Sequence, residues 1–332
     1  MIVSRTPFRI SFFGGGTDYP AWYRKYGGMV LGSTIDKFCY ISCRYLPPFF
    51  DFKHRIVYSQ IDSVNEVKDI KHPAVRGILN TMDVKNGLEI HHDGDLPARS
   101  GLGSSSSFTV GLIHAIHALK GQMISKKDLA TEAVHMEQDI LKEHVGSQDQ
   151  VLTTHGGLNV IQFHADDSFD ITPLILAKDR IEDFQKHMML VFTGFTRIAS
   201  EIAKHHIANM EARKREMQIM QQMAKEGMEI LINPKIPIEN FGKLLHEYWQ
   251  YKRSLSDKVT TPALDTIYEA AKSAGAYGGK LLGAGGGGFM LLFARPDRQP
   301  EIREKLKDLI HVNFRLDFTG SKIVIYEPNN FQ

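Results

Sequence analysis

The sequence predicts an α+β protein of two domains, and three observations carry that expectation. Its 332 residues are long for one domain and comfortable for two. Strand and helix patterns succeed one another along the chain in the order that α+β sandwiches use. Near residues 165–187 the pattern becomes irregular and polar, which divides the chain into expected units 1–175 and 176–332. Hydrophobic residues at 42% and charged residues at 23% are enough for a sizeable core.

Taken in order, residues 2–13 and 34–45 read as strands, as does Leu88–His92. The alternation in Phe38-Cys39-Tyr40-Ile41-Ser42-Cys43 puts both of the chain's cysteines on one strand face. With no further Cys or His at metal spacing nearby, they read as reduced, buried thiols. Helices fit 107–120, closed by Gly121, and 126–144, where Ser125 caps the start. In the second half, Met188–Phe192 is a strand. A Met-, Lys- and Glu-rich helical stretch runs from about Ser200 to Leu231, a pattern that suits ordinary helix packing. Thr261 and Pro262 start a helix that Gly275 ends. A glycine-rich loop, the strand Phe289–Phe293, a helix near 299–310 and a strand near 322–327 complete the order.

A net charge of +2 does not point to a nucleic-acid partner. No apolar run approaches the length of a membrane span. Arg5, Pro7 and Arg9 interrupt the N-terminus before a signal peptide can form, so the expected location is the cytoplasm.

Chemistry concentrates in three glycine clusters. The most informative is Asp95-Leu-Pro-Ala-Arg-Ser-Gly-Leu-Gly-Ser-Ser-Ser-Ser107, between a strand and a helix. Gly101 and Gly103 let the backbone approach a ligand closely. Ser104, Ser105, Ser106 and Ser107 fall at a helix start, where free N–H groups and the positive dipole end favour phosphate. The segment Arg99, Ser100, Gly101, Leu102, Gly103, Ser104, Ser105 and Ser106 therefore reads as a phosphate loop. It is not a Walker A loop, because no lysine follows Gly103. Nor is it a dinucleotide fingerprint, because Ser106 stands where a third glycine belongs. A plain serine cap needs one serine, not four after two glycines.

The second cluster, Gly283–Gly288, formally matches G-x-G-x-x-G, yet a strand follows it instead of a helix. Its glycines, Gly285 and Gly286 among them, suit a close backbone contact with a ligand or another loop. In the third cluster, Arg9 alternates with apolar neighbours on a strand, which points it inward, where an arginine needs an anion. Gly16, Thr17 and Asp18 end a loop able to wrap a polar substrate. Glu137 lies within about three turns of its helix's end, so one loop can return Asp149 toward it. One carboxylate near a phosphate loop can hold magnesium, and a second can orient or deprotonate a hydroxyl. His144 and His155 flank this region and read as structural.

In this order the clusters resemble the GHMP kinase superfamily, across nearly the whole chain. The family's phosphate loop is similar to Pro97-Ala-Arg-Ser-Gly-Leu-Gly-Ser-Ser105, and its C-terminal glycine motif to Lys280-Leu-Leu-Gly-Ala-Gly-Gly-Gly-Gly-Phe289. The resemblance implies a ribosomal-protein-S5-like N-terminal domain, a ferredoxin-like C-terminal domain and an active site between them. It implies ATP and Mg2+, with Ser105 and Glu137 as metal ligands, Asp149 as catalytic acid–base group and Arg9 as the cation on the transferring phosphoryl group. Thr17-Asp18-Tyr19 resembles the sugar-contacting segment of galactokinase, although Gly-Gly-Gly stands where galactokinase has Gly-Glu-His.

The combination of Arg9–Asp18, Thr34–Ser42 and Ser100–Ser107 looks closest to D-glycero-D-manno-heptose kinases. These phosphorylate the anomeric hydroxyl of heptose 7-phosphate on the route to GDP-heptose, and fucokinase-like proteins share part of the pattern. Arg44, Arg99, Arg197, Lys252 and Arg253 are the basic candidates for a 7-phosphate. The expected partners are ATP and a sugar or sugar phosphate, with oligomeric state open. A decarboxylating relative is disfavoured by the sugar-like Thr17–Tyr19 segment, and a catalytically dead sensor by Arg9, Ser105, Glu137 and Asp149 standing together.

Overall fold

The structure, a computed structural model, describes residues 1–194, 203–204 and 207–328. Its first half is built on two long antiparallel strands, β1 (Ile2–Phe13) and β2 (Gly28–Tyr45), joined through helix α1 (Pro20–Tyr26). Strands β3 (His54–Val57) and β4 (Ile61–Val64), helix α2 (Pro73–Thr81) and strand β5 (Leu88–Gly94) follow. Then come helices α3 (Ser104–Leu119), α4 (Lys126–His135) and α5 (Gln148–His155), and strands β6 (Leu158–Phe163) and β7 (Phe169–Pro173). From Thr6 onward β1 is buried on both faces, because α3 covers one side of the sheet and a helix of the second half covers the other.

The second half contains α6 (Lys178–Lys186), β8 (Met188–Phe192), α7 (Lys214–Ile232), α8 (Glu239–Ser254) and α9 (Pro262–Ser273). It continues with β9 (Ala276–Leu281), β10 (Phe289–Ala294), α10 (Gln299–Lys305), β11 (Ile310–Val312), β12 (Leu316–Asp317) and β13 (Lys322–Tyr326). Its sheet runs β11-β8-β10-β9, antiparallel throughout, which is the ferredoxin-like order. The first sheet runs β13-β1-β2-β5-β3-β4, with β6 and β12 also on β2 and β7 on β6. Both cysteines are free and buried, and burial pushes their thiols well above the usual range.

Several boundaries differ from the sequence expectation. Helix α3 begins at Ser104 rather than 107, capped by Gly103 in the left-handed region. The helix expected over 126–144 gives way to a π-helical turn at Met136–Ile140 and stops there. The polar stretch 165–187 contains β7 and α6, and the helix expected over 299–310 ends at Lys305. The start of the stretch expected from Ser200 lies outside the described residues, and α7 covers its second half. Most consequential, β13 pairs with β1 and β12 with β2, so residues 316–326 join the sheet of the first unit, not that of 176–332.

Candidate active site

A cavity of about 700 Å³ opens between the two halves, lined by the end of β1, the start of α3, the 142–149 segment and the 282–287 loop. Two glycine loops meet backbone to backbone at its wall. Gly101 has φ +84°, and a Cβ there would lie 2.5 Å from the Leu282 carbonyl. Gly283 has φ +73°, and its Cβ would lie 2.6 Å from the Gly101 Cα. The Phe289 N–H donates to the Ser100 carbonyl at 3.0 Å, stitching the loops together. The second cluster thus makes its close contact with another loop. Gly285 lines the cavity, whereas Gly286 lies off its wall and donates its N–H to the Val259 carbonyl.

The phosphate-loop residues divide by direction. Arg99, Gly101, Gly103, Ser104 and Ser105 line the cavity. Ser100 and Leu102 face away and are buried. The Ser100 hydroxyl donates to the Pro97 carbonyl, and the Leu102 carbonyl accepts the Arg9 N–H. Ser104 accepts the Arg99 N–H at 3.1 Å, closing the loop. Ser106 turns inward and donates to Glu137 Oε2 at 2.9 Å. Glu137 therefore meets Ser106, while Ser105 faces the cleft.

Glu137 is fully buried in the π-helical turn and lies behind the cavity wall. Burial first, then the neighbouring Glu143 carboxylate, push its carboxyl up to about 8, against the hydrogen bond from Ser106. Its Oε1 has no hydrogen-bond partner among the described residues. An idle hard oxygen on a buried carboxylate that is hydrogen-bonded to Ser106 of the phosphate loop fits a magnesium ion shared with a nucleotide. No group of three or more His, Cys, Asp or Glu that could cage a metal exists among the described residues.

Arg9 is 5% exposed, and its guanidinium spans two parts of the site. Nε and Nη2 donate to the two oxygens of Asp149 at 2.6 Å each, and Nη1 donates to the Gly101 carbonyl at 2.6 Å. Asp149, expected on a loop, sits in the first turn of α5. Asp18 lines the cavity but is also tied to the backbone. Its carboxylate accepts the Gly16 N–H at 2.8 Å and the Gln148 N–H at 3.2 Å, and Gly146 leaves no room for a side chain against it. Burial, then Asp149, raise its pKa above the usual carboxylate range. Gly16 also lines the cavity. Thr17 does not: its hydroxyl, fully buried, donates to the Gly14 and Met29 carbonyls, so it shapes the turn instead of facing a substrate.

Of the basic candidates, Arg99 and Lys252 line the cavity. Arg44 pairs with Glu89, and Arg253 with Asp265, both away from it. Arg197 lies outside the described residues. Lys252 Nζ donates to the Leu281 and Gly283 carbonyls at 3.0 and 2.6 Å; burial and nearby Arg9 bring its pKa down to about 7. Lys280, the first residue of the C-terminal glycine motif, is buried on the cavity wall. Its ammonium donates to the Ser11 and Phe12 carbonyls and lies 4.4 Å from the Tyr248 ring centroid. Gly278 and Gly279 precede Lys280, so it lacks the alternation with apolar strand residues that marks Arg9.

Comparison with known proteins agrees with this geometry. The model of the GHMP kinases N terminal domain matches residues 68–157, and that of the GHMP kinases C terminal domain matches 234–311. The chain is 30% identical over 320 residues to the D-glycero-alpha-D-manno-heptose 7-phosphate kinase of Campylobacter jejuni, covering 92% of this chain and 93% of that one. It is 26% identical over 344 residues to the L-fucokinase/L-fucose-1-P guanylyltransferase of Bacteroides fragilis, covering 91% of this chain and 35% of that one. Among solved structures, a D-glycero-D-manno-heptose 1-phosphate kinase from Bacteroides thetaiotaomicron superposes with a TM-score of 0.81 at 22% identity, over 98% of this chain and 100% of that one. With a relative at 30% identity along almost its full length and both domain models matched in order, the chain belongs to the GHMP kinases.

Proposed function

We propose that this kinase transfers the γ-phosphoryl group of ATP to the anomeric hydroxyl of D-glycero-D-manno-heptose 7-phosphate, on the route to GDP-heptose. The observation that carries the reading is the Arg9 bridge, with one guanidinium holding both Asp149 and the phosphate loop at 2.6 Å. It ties the group that would receive the acceptor's proton to the group that would cradle the donor. The similarity to the Campylobacter heptose 7-phosphate kinase supports the choice of sugar.

In this reading the acceptor hydroxyl gives its proton to the Asp149 carboxylate as its oxygen bonds to the γ-phosphorus. The bond from phosphorus to the β–γ bridging oxygen breaks, and ADP leaves. Arg9 offers positive charge where the phosphoryl group passes, and the N-terminus of α3 offers backbone N–H groups. Ser105 and Glu137 would hold Mg2+, which supplies neutralisation of β- and γ-phosphate charge. Gly16 and Asp18 border the sugar, with Asp18 keeping lone pairs beyond those used by Gly16 and Gln148. Of the described basic candidates for a phosphate on the sugar, Arg99 and Lys252 are the two that line the cavity.

The test is turnover with ATP on heptose 7-phosphate, unphosphorylated heptose, fucose and galactose, with the product's phosphorylated carbon read by phosphorus NMR. The expected result is the highest kcat/KM for heptose 7-phosphate and phosphorylation at C1. Preference for fucose or galactose would replace the substrate and keep the reaction. No turnover on any sugar would favour a nucleotide-binding sensor.

A further inference from the structure

Asp149 and Gln150 are neighbours in the first turn of α5, and in a helix successive side chains point about 100° apart. Asp149 faces Arg9, whereas Gln150 turns to the closed interior and meets Glu137, where both side chains have no exposure. The Gln150 amide donates from Nε2 to Glu137 Oε2, the same oxygen that takes the Ser106 hydroxyl. Both donors therefore load one carboxylate oxygen. The other, Oε1, has no partner among the described residues, and neither does Gln150 Oε1. Leaving two buried acceptors without partners is unfavourable, so packing alone gives no reason for this arrangement. It has one if Oε1 is kept for a ligand.

We propose that Gln150 is a positioning residue for the divalent cation: its amide, with Ser106, pins Glu137 through Oε2 and leaves Oε1 for the ion. The proposal rests on the reading of Glu137 as a metal ligand. It makes one helical turn serve two ends of the reaction, with Asp149 toward the acceptor and Gln150 toward the metal. Outer partners of metal ligands commonly set affinity in this way, by fixing the ligand's orientation.

The test uses the full-length protein, Mn2+ as the probe ion and a non-hydrolysable ATP analogue. The Mn2+ dissociation constant is read by electron spin resonance, beside metal-free binding of the analogue and the melting temperature. Gln150→Met matches the glutamine in length and removes its amide; it should weaken Mn2+ about 10–100-fold. Metal-free analogue binding should stay within about twofold, because the glycine loops are untouched. If Gln150→Met does not fold, Gln150→Asn keeps the amide but shortens its reach by one methylene and is read the same way. Glu137→Gln is the control. If Glu137→Gln loses Mn2+ while the Gln150 variants keep wild-type affinity, Gln150 has no positioning role and the metal assignment stands. If Glu137→Gln keeps wild-type affinity, both are overturned. An equal loss of metal-free analogue binding in the Gln150 variants would also overturn the proposal, because it would report collapse of the whole site.

Discussion

Arg9 and Asp149 form a nearly closed ion pair, and removing one partner of such a pair strands the other's charge. Asp149→Asn should therefore do two separable things. It should lower kcat by about 10²–10⁴-fold, the usual worth of a general base. It should also lower the melting temperature, since the amide offers Arg9 a single acceptor in place of two. Nucleotide affinity by calorimetry should barely change, because Arg9 keeps its bond to the Gly101 carbonyl. Turnover that survives within a few-fold would move the base elsewhere. Asp18→Ala should raise the sugar's KM and also destabilise the fold, because it leaves the Gly16 and Gln148 N–H groups without their acceptor. A variant with wild-type melting would show that water replaces the carboxylate. Arg9 was legible in the sequence because an arginine among apolar strand residues must find an anion. The partner of Glu137 was not. Which serine turns inward depends on the helical phase, and α3 starts three residues earlier than its apolar pattern suggests.

At the level of elements, the glycine loops form one device. Gly283→Ala places a Cβ against Gly101 and forces a non-glycine residue to φ +73°, strain of about 1–3 kcal/mol. The phosphate loop would be displaced, so nucleotide affinity should fall about tenfold or more while sugar affinity changes less, as measured by calorimetry for each ligand. Equal losses for both ligands would mean that the loops shape the whole cleft. A second device docks the C-terminal strand. His114 of α3 shares a hydrogen bond with Ser321, which shares another with Thr6 of β1. Burial first, then His117 and Lys126, bring the His114 pKa down from 6.5 to about 4. The native protein then binds fewer protons than the unfolded chain between those values. Stability from this group is complete above pH 6.5 and is lost as pH falls toward 4, by about 3 kcal/mol. His114→Gln should flatten the fall in melting temperature between pH 6.5 and 4, and an unchanged slope would remove His114 from the acid response. The strand β13 itself was legible as a short β-branched and aromatic run, Ile323-Val-Ile-Tyr326. Its partner was not, because such a run carries nothing about which sheet is joined. The three-residue β11 was missed for a simpler reason: it is shorter than any periodic pattern.

The whole molecule does not divide where its sequence pattern does. Phe12 and Phe13, at the end of β1, pack edge-to-face on rings of the second half. Phe12 lies 5.5 Å from both Phe184 and Phe241, and Phe13 lies 5.0 Å from Phe241 and 5.4 Å from Tyr248. One hydrophobic cluster runs from Ile2 through these rings to Phe293. Lys280 of β9 adds a buried tie to the Ser11 and Phe12 carbonyls, and β12 and β13 return the chain to the first sheet. Burying a phenylalanine is worth about 1.5–3 kcal/mol, so separating the halves would forfeit several such contributions at once. That sum is comparable with the whole stability of an ordinary domain, about 5–15 kcal/mol. Neither half should therefore stay folded after the other melts. The protein should unfold in one calorimetric transition whose van't Hoff and calorimetric enthalpies agree. A fragment ending at residue 175 should lack native near-ultraviolet circular dichroism, since it exposes the outer edge of β1 and leaves Phe12 and Phe13 without their partners. Two resolved transitions, or a fragment 1–175 that melts cooperatively, would show that the shared core is an interface between independent domains, and the active-site cleft would then be free to open along it.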